Sequence, residues 1–247
     1  MTEQADATGR IMDRIGRSWR SAMRDVFLIV VSILIAFGLD AWWSGRVALE
    51  EEQHALSAIQ ADFGAARIEL DSVLLLNAAG ARAITALLSL DAAGIRRLGH
   101  DSASAMVTRI MSGGLTFDPS MGALQALLST GTLGQVRRRE LAAELSAWPG
   151  ALGEISADQR FLVDTWVDLR DWAGERGLLT SVLALWGFPS LNAEATPQEI
   201  LLELTVSGRG LLAAQLLSLS GLHMELQDVD RRLSTILELL SAELGEN

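Results

Sequence analysis

Charge is missing from the chain between Val26 and Leu39, and with Asp40 tolerated near one end the apolar run extends to Trp43. Eighteen helical residues at ~1.5 Å each reach roughly 27 Å, close to the ~30 Å hydrocarbon core of a bilayer. The pattern therefore predicts a transmembrane helix over residues 25–43. Beyond it, Leu56, Ile59, Phe63, Ala66, Leu70 and Val73 are spaced by threes and fours. Heptad a and d positions and the apolar face of a bundle helix share that spacing, so a coiled coil and an ordinary bundle helix both remain open. Either way the pattern predicts a membrane-proximal long helix, or stalk, over 44–90, with Asn77 or Gly80 as candidate breaks and 84–90 as a further short piece.

Turn and cap signals divide the remainder. Residues 91–100 read as a loop, and Asp101 or Ser102 can cap a helix toward Met111 that Gly113-Gly114 ends. Asp118-Pro119 supplies an N-cap and a proline at the first helical position, opening a helix through Leu128. Gly131 and Gly134 punctuate a turn. A returning helix over 138–148 is expected to stop at Pro149-Gly150, which makes 118–148 a helical hairpin. A long helix over 154–186 follows, with Phe161, Trp166 and Leu169 among its apolar positions, broken by Gly187-Phe188-Pro189. After a linker, Thr196-Pro197 repeats the cap-plus-proline signal, and Gly208 and Gly210 are candidate interruptions. Leu219, Leu222, Leu226, Val229, Leu233, Ile236 and Leu240 then hold a clean three-four spacing. No strand-like alternation of useful length occurs. The expected fold is all-α: a basic tail at 1–24, one transmembrane helix continuing into a stalk, and an antiparallel helical bundle at 91–247.

Charge placement orients the span, because basic flanks are retained in the cytoplasm. Arg10, Arg14, Arg17, Arg20 and Arg24 precede it, and only Arg46 follows closely. Trp19 on one side, and Trp42 with Trp43 on the other, occupy the membrane–water boundary favoured by amphipathic rings, and Arg24 can snorkel to water. The expected location is a bacterial inner membrane, N-terminus cytoplasmic and the helical domain periplasmic. A cleaved signal peptide is the competitor, since Ala36-Phe37-Gly38 offers a small-x-small site. Its basic region would be unusually long, and the apolar character runs on past the cut into two tryptophans.

The chain has 247 residues and a net charge of −11, all of it beyond residue 45. Such a field repels nucleic acid, which is excluded as a partner. There is no Cys and no Lys, so thiolate metal sites, disulfides, the P-loop lysine and Schiff-base chemistry are withheld. Stability must come from packing, and the Leu- and Ala-rich apolar content favours helix on helix.

The block from Asp25 through the apolar run to Asp40-Ala-Trp42-Trp43, with Ile35-Ala36 inside it, resembles the opening of a family of uncharacterised bacterial single-pass membrane proteins, catalogued as a domain of unknown function. Ser32 stands where those proteins often have Gly. The segment holding Leu124, Gly131-Thr-Leu133 and 138–145 is similar to another part of that family. The resemblance implies a bitopic inner-membrane protein with an extracytoplasmic helical domain, and brings no activity with it.

Candidate chemistry is sparse. Glu51-x-x-His54 has the i, i+3 spacing of one half of a carboxylate-bridged metal pair, but neither His100 nor His223 supplies the second half. The plainer reading is a solvated acidic collar. His100-Asp101 lacks a nucleophile elbow and reads as a capped loop end. Gly131-x-x-Gly134 followed by Arg137, Arg138 and Arg139 could cradle an anion, although pairing with the abundant acids explains it better. Asp164, Asp168 and Asp171 beside Trp166 and Trp172 combine the ingredients of a sugar or hydrolase site, yet their i, i+4, i+7 spacing is that of a water-facing helix side. Asp40, bordering hydrocarbon, is a functional candidate by position and is read as reaching interfacial water.

These observations predict a non-enzymatic, cofactor-free interaction or scaffold protein. Its partners are the lipid bilayer and either a second copy or another membrane protein. The candidate helix-association residues are Ser32 and Ala36 in the span and Leu56, Ile59, Phe63 and Leu70 beyond it. Two alternatives stand beside this. One is an extracytoplasmic small-molecule-sensing bundle, against which the basic tail of about twenty-five residues is expected to hold no output domain. The other is an extracytoplasmic hydrolase using the clustered aspartates.

Overall fold

Three-four apolar spacing dictates helices with one greasy face, and every regular element among the described residues is helical. The computed structural model describes residues 3–176, 178–185, 188, 199, 201, 204 and 206–245. The helices are α1 Glu3–Leu88, α2 Ala92–Arg97, α3 His100–Ser112, α4 Gly122–Thr130, α5 Arg139–Gly174, α6 Leu178–Leu185 and α7 Val206–Gly245, with a 3₁₀ turn at Thr132–Gln135. The chain divides into two units, Met1–His54 and Ala55–Asn247.

In the first unit, α1 carries a stretch long and apolar enough to cross a membrane, and none of it is buried by the protein. Phe27, Leu28, Ile29, Ile33, Leu34, Ile35, Phe37 and Leu39 are all exposed.

The second unit begins inside what the sequence pattern predicted as a stalk. From Ala55, α1 is a core helix: Leu56, Ile59, Phe63 and Leu70 are buried at 2 % exposure or less, together with Ala66 and Val73. Of the two readings of this face, the bundle helix is the one observed. A coiled coil through the same residues would have to displace the chain's own α5 and α7.

Polar contacts set the helix directions. Gln60 bonds Ser241, Arg67 pairs with Asp230, and Arg209 donates to the carbonyls of Leu88 and Leu90, so α1 and α7 run antiparallel. Arg138 pairs with Glu243, Glu144 with Arg232 and Thr165 with Gln215, so α5 and α7 are antiparallel as well. It follows that α5 is parallel to α1, with the Phe63 and Trp148 rings 5.1 Å apart between them. Two parallel helices need a return connection. Here α3, the 113–121 loop and α4 supply it along the side of α1.

That return explains several departures from the expected boundaries. Neither Asn77 nor Gly80 breaks α1, which continues to Leu88 and absorbs the separate piece expected at 84–90. Gly80 is where α3 crosses, since a Cβ there would lie 3.2 Å from both the Arg109 carbonyl and the Gly113 Cα. Asn77 is buried and fastens the loop: its Nδ2 donates to the Leu115 carbonyl (2.8 Å), and its Oδ1 accepts from the Gly114 and Leu115 N–H groups (2.9 and 3.0 Å). Gly114 has φ +92°, and a Cβ there would meet Trp166 at 2.6 Å, so glycine is required on two counts.

The stretch expected as loop to His100 contains α2, capped by Asp91 through the Gly94 N–H at 2.6 Å, and α3 begins at His100 with no side-chain cap. Asp118-Pro119 does not open α4. Pro119 is buried in the loop, α4 starts at Gly122, and the cap comes from across the bundle, where Asp62 accepts the Ala123 N–H at 2.9 Å. The turn over 131–138 does return the chain from α4 into α5, but the stop expected at Pro149 is not observed. α5 runs through Pro149 to Gly174, because buried Leu145, Trp148 and Ile155 hold both sides of the proline in place while its ring faces water. α5 ends short of the expected 186: Arg176 donates to the Trp172 carbonyl (2.9 Å) and lies 4.5 Å from that ring, placing a cation at the helix C-terminus. α7 passes uninterrupted through Gly208 and Gly210, and all seven of its three-four positions from Leu219 to Leu240 are buried. Trp186, Gly187, Pro189 and the Thr196-Pro197 signal lie outside the described residues.

Asn77→Ala would remove the acceptor of the half-buried Gly114 and Leu115 N–H groups and the donor to the Leu115 carbonyl. We expect it to lower the stability of the bundle by roughly 2–4 kcal/mol. The change is read as a shifted urea midpoint by tryptophan fluorescence.

Candidate functional site

Two surfaces stand out once the core is assigned. The first is the apolar belt of α1. Ser32 Oγ turns back onto the Leu28 carbonyl (2.8 Å), satisfying its hydroxyl within the helix. Asp40, Trp42 and Trp43 are exposed, the two indoles lie 6.5 Å apart, and the Arg46 guanidinium sits 6.0 Å from the Trp42 ring while pairing with Glu50. Ser32 and Ala36 are exposed on this helix, and the side chains of Trp19 and Arg24 lie outside the described residues.

The second is the seam between α5 and α7. On its core side, Thr165 Oγ1 lies 2.7 Å from Gln215 Oε1 and 3.2 Å from Ser218 Oγ, a polar layer that fixes the register of the two helices. Two turns further along the seam, Asp158 of α5 faces Gly221 and Glu225 of α7, with Asp158 Oδ2 3.7 Å from where a Gly221 Cβ would stand. No N–H or hydroxyl donor among the described residues reaches the enclosed Glu225 Oε2. The Glu225 carboxyl titrates above its ordinary 4.5: burial raises it first, then the charge and hydrogen bonding of Asp158, then the charges of Glu154 and Asp228. A proton shared between the two carboxyl groups relieves both the repulsion and the unpaired oxygen.

The other sequence candidates do not converge. Glu51 and His54 are exposed on α1, and His100 and Asp101 are exposed at the start of α3. Among the described residues no three His, Asp or Glu side chains gather as metal ligands. Arg138 is held by Glu243, which is nearly buried, at 3.2 Å. Asp164, Asp168 and Asp171 are exposed, and only Asp164 lines a hollow of about 430 Å³, beside Asp118, Gln159 and Arg160. Trp166 packs on Gly114 and Trp172 is buried against Gly208 and Arg176, so neither ring is presented with the aspartates. A groove of about 670 Å³ between α1 and α3 is floored by Ala79, Ala83, Ala86 and Ala105 and bordered by Arg82, Arg109 and Asp101.

Phe161, one of the apolar positions of the helix expected over 154–186, is 57 % exposed, whereas Leu162 and Leu169 are buried. Sequence reasoning missed Asp158 and Glu225, and no spacing rule marks two acids 67 positions apart as neighbours. It missed Leu217 and Met224 as well, although a signal exists: seven residues apart, they sit off the register of the buried stripe.

No family model, curated protein or solved structure matches the chain.

The raised Glu225 value fixes a sign. The folded state holds this proton more tightly than the unfolded one, so its stabilising effect is present below about pH 4.5 and is lost as pH rises through the raised value. Glu225→Gln is therefore expected to melt at a higher temperature than the parent near pH 7. The difference should fade toward pH 4 in paired thermal melts.

Proposed function

We propose that the chain is a single-pass membrane-anchored helical interaction protein, with the N-terminus cytoplasmic and the bundle beyond the inner membrane, acting as a homodimer or as an accessory subunit of a membrane assembly. One observation carries the reading: the belt over 27–43 is wholly uncovered, while the Ala55–Asn247 unit buries its own stripes. An uncovered apolar helix of this length gains by entering lipid. Arginines before the belt and the tryptophan pair after it support the orientation, and the family resemblance of the span agrees with it. The α1–α3 groove favours one second reading, a sensing bundle that takes a small anion between Arg82 and Arg109.

Because the chain has no Cys, one introduced thiol reports alone. Alkaline carbonate should leave the protein in the membrane pellet. In intact spheroplasts a membrane-impermeant maleimide should label Ser129→Cys, and Thr8→Cys only after lysis. Release by carbonate would remove the anchor, and the opposite labelling would reverse the orientation. Cross-linking in native membranes should recover a stable companion or a second copy, whereas a purely monomeric species would count against the interaction reading.

A further inference from the structure

The outer flank of the α5–α7 seam combines two features that a protein surface normally keeps apart. Phe161, Leu217 and Met224 are 57, 73 and 66 % exposed. Phe161 lies three residues after Asp158 and four before Thr165, both of which face α7, so it stands at the seam's edge. Leu217 precedes Ser218, which faces Thr165, and Met224 precedes Glu225, which faces Asp158. The core side of the same seam is filled by Leu162, Leu219, Leu222 and Leu226, which leaves the exposed trio on the outer flank.

Beside this trio, Asp158 of α5 and Glu225 of α7 face each other, and the charges of Glu154 on α5 and Asp228 on α7 add to the repulsion on Glu225. Arg231 engages Asp228 from the outside. Among the described residues no donor reaches the enclosed Glu225 Oε2. From Ala55 on, 23 acids face 14 arginines, so the partner charge this cluster lacks is positive and is in short supply within the domain. Along α7 the face from Leu217 to Asp228 is about 16 Å, roughly three helical turns.

We propose that this flank docks a basic amphipathic helix from a partner protein: the helix lays its apolar residues on Phe161, Leu217 and Met224 and inserts an ammonium or guanidinium group between Asp158 and Glu225. The inference rests on the interaction reading above and gives that partner a chemistry. A cation there supplies the donor that Glu225 lacks and offsets the like-charge repulsion, while the apolar trio leaves water.

The test uses the full chain in zwitterionic nanodiscs and a fluorescent Leu/Lys amphipathic peptide of about 18 residues. A scrambled peptide, a Leu/Glu counterpart and empty discs serve as controls. Saturable binding in the micromolar range is expected by anisotropy, weakening at least about tenfold in Asp158→Asn/Glu225→Gln and in Leu217→Ser/Met224→Ser, and unchanged in Ile68→Ser on α1. The charge-removing pair relieves repulsion, so loss of binding there is not loss of fold, and melting curves check this. Equal binding by the variants, equal capture of the Leu/Glu or scrambled peptide, or no signal above empty discs overturns the proposal. A seam-dependent dimer of this chain in place of peptide capture overturns it in favour of self-association. Cross-linking in native membranes separates the two levels: a companion recovered while the peptide ignores the seam removes the docking face and leaves the interaction reading standing.

Discussion

Burial of three long apolar stripes against one another is the constraint from which the rest of the bundle follows. The stripe of α1 from Leu56, that of α5 from Leu141 to Trp172 and that of α7 from Leu212 to Leu240 share one continuous core. At about 25 cal/mol per Å² of apolar area removed from water, burial on this scale outweighs any single polar contact in the molecule. Polar groups then choose among the ways of closing the core. Ion pairs at Arg67–Asp230, Arg138–Glu243 and Glu144–Arg232 hold α7 antiparallel to both neighbours, and the Thr165–Gln215 layer sets its height. With α1 and α5 thereby parallel, residues between them must travel the bundle's length, and the positive φ of Gly114 and the buried Asn77 belong to that return path.

Periodicity made the long elements readable and the short ones obscure. The α7 stripe was legible residue for residue, because a pattern sustained over six turns leaves no competing register. The α1 stripe was legible as a helix, but not for what covers it, since a coiled coil and a bundle present the same spacing. Failures cluster where the deciding interaction is distant in sequence. Asp62 caps α4 from 61 positions away, Asn77 fastens a loop near 114, and Gly80 ends no helix but admits another one. Pro149 and Gly150 carry a strong local stop signal that packing of Trp148 on Phe63 overrides.

The candidate surfaces divide along the same line. The belt over 27–43 is a composition signal and could be read directly, down to the tryptophans at its end. The α5–α7 seam could not, because its defining pair is made by folding. Phe161 shows why: it has the residue type of a core position, and only the rotation of α5 relative to α7 turns it outward. Leu217 and Met224 mark the same flank from the other helix, and their spacing of seven is the trace that such a second stripe leaves in a sequence.

The carboxylate pair is best understood against the stability it withholds. Asp158 and Glu225 face each other across the seam, and nearby Glu154 and Asp228 add to the repulsion. The chain elsewhere places Arg opposite acid on these same two helices, at Arg138–Glu243 and Glu144–Arg232, so the means of neutralising the seam are in use within a few turns. A pair that repels at neutral pH, beside exposed Phe161, Leu217 and Met224, leaves the isolated bundle less stable than a simple charge exchange would make it. Both defects disappear together when a single cationic, apolar-faced helix covers them, and an account that treats them separately needs two unrelated reasons for one location.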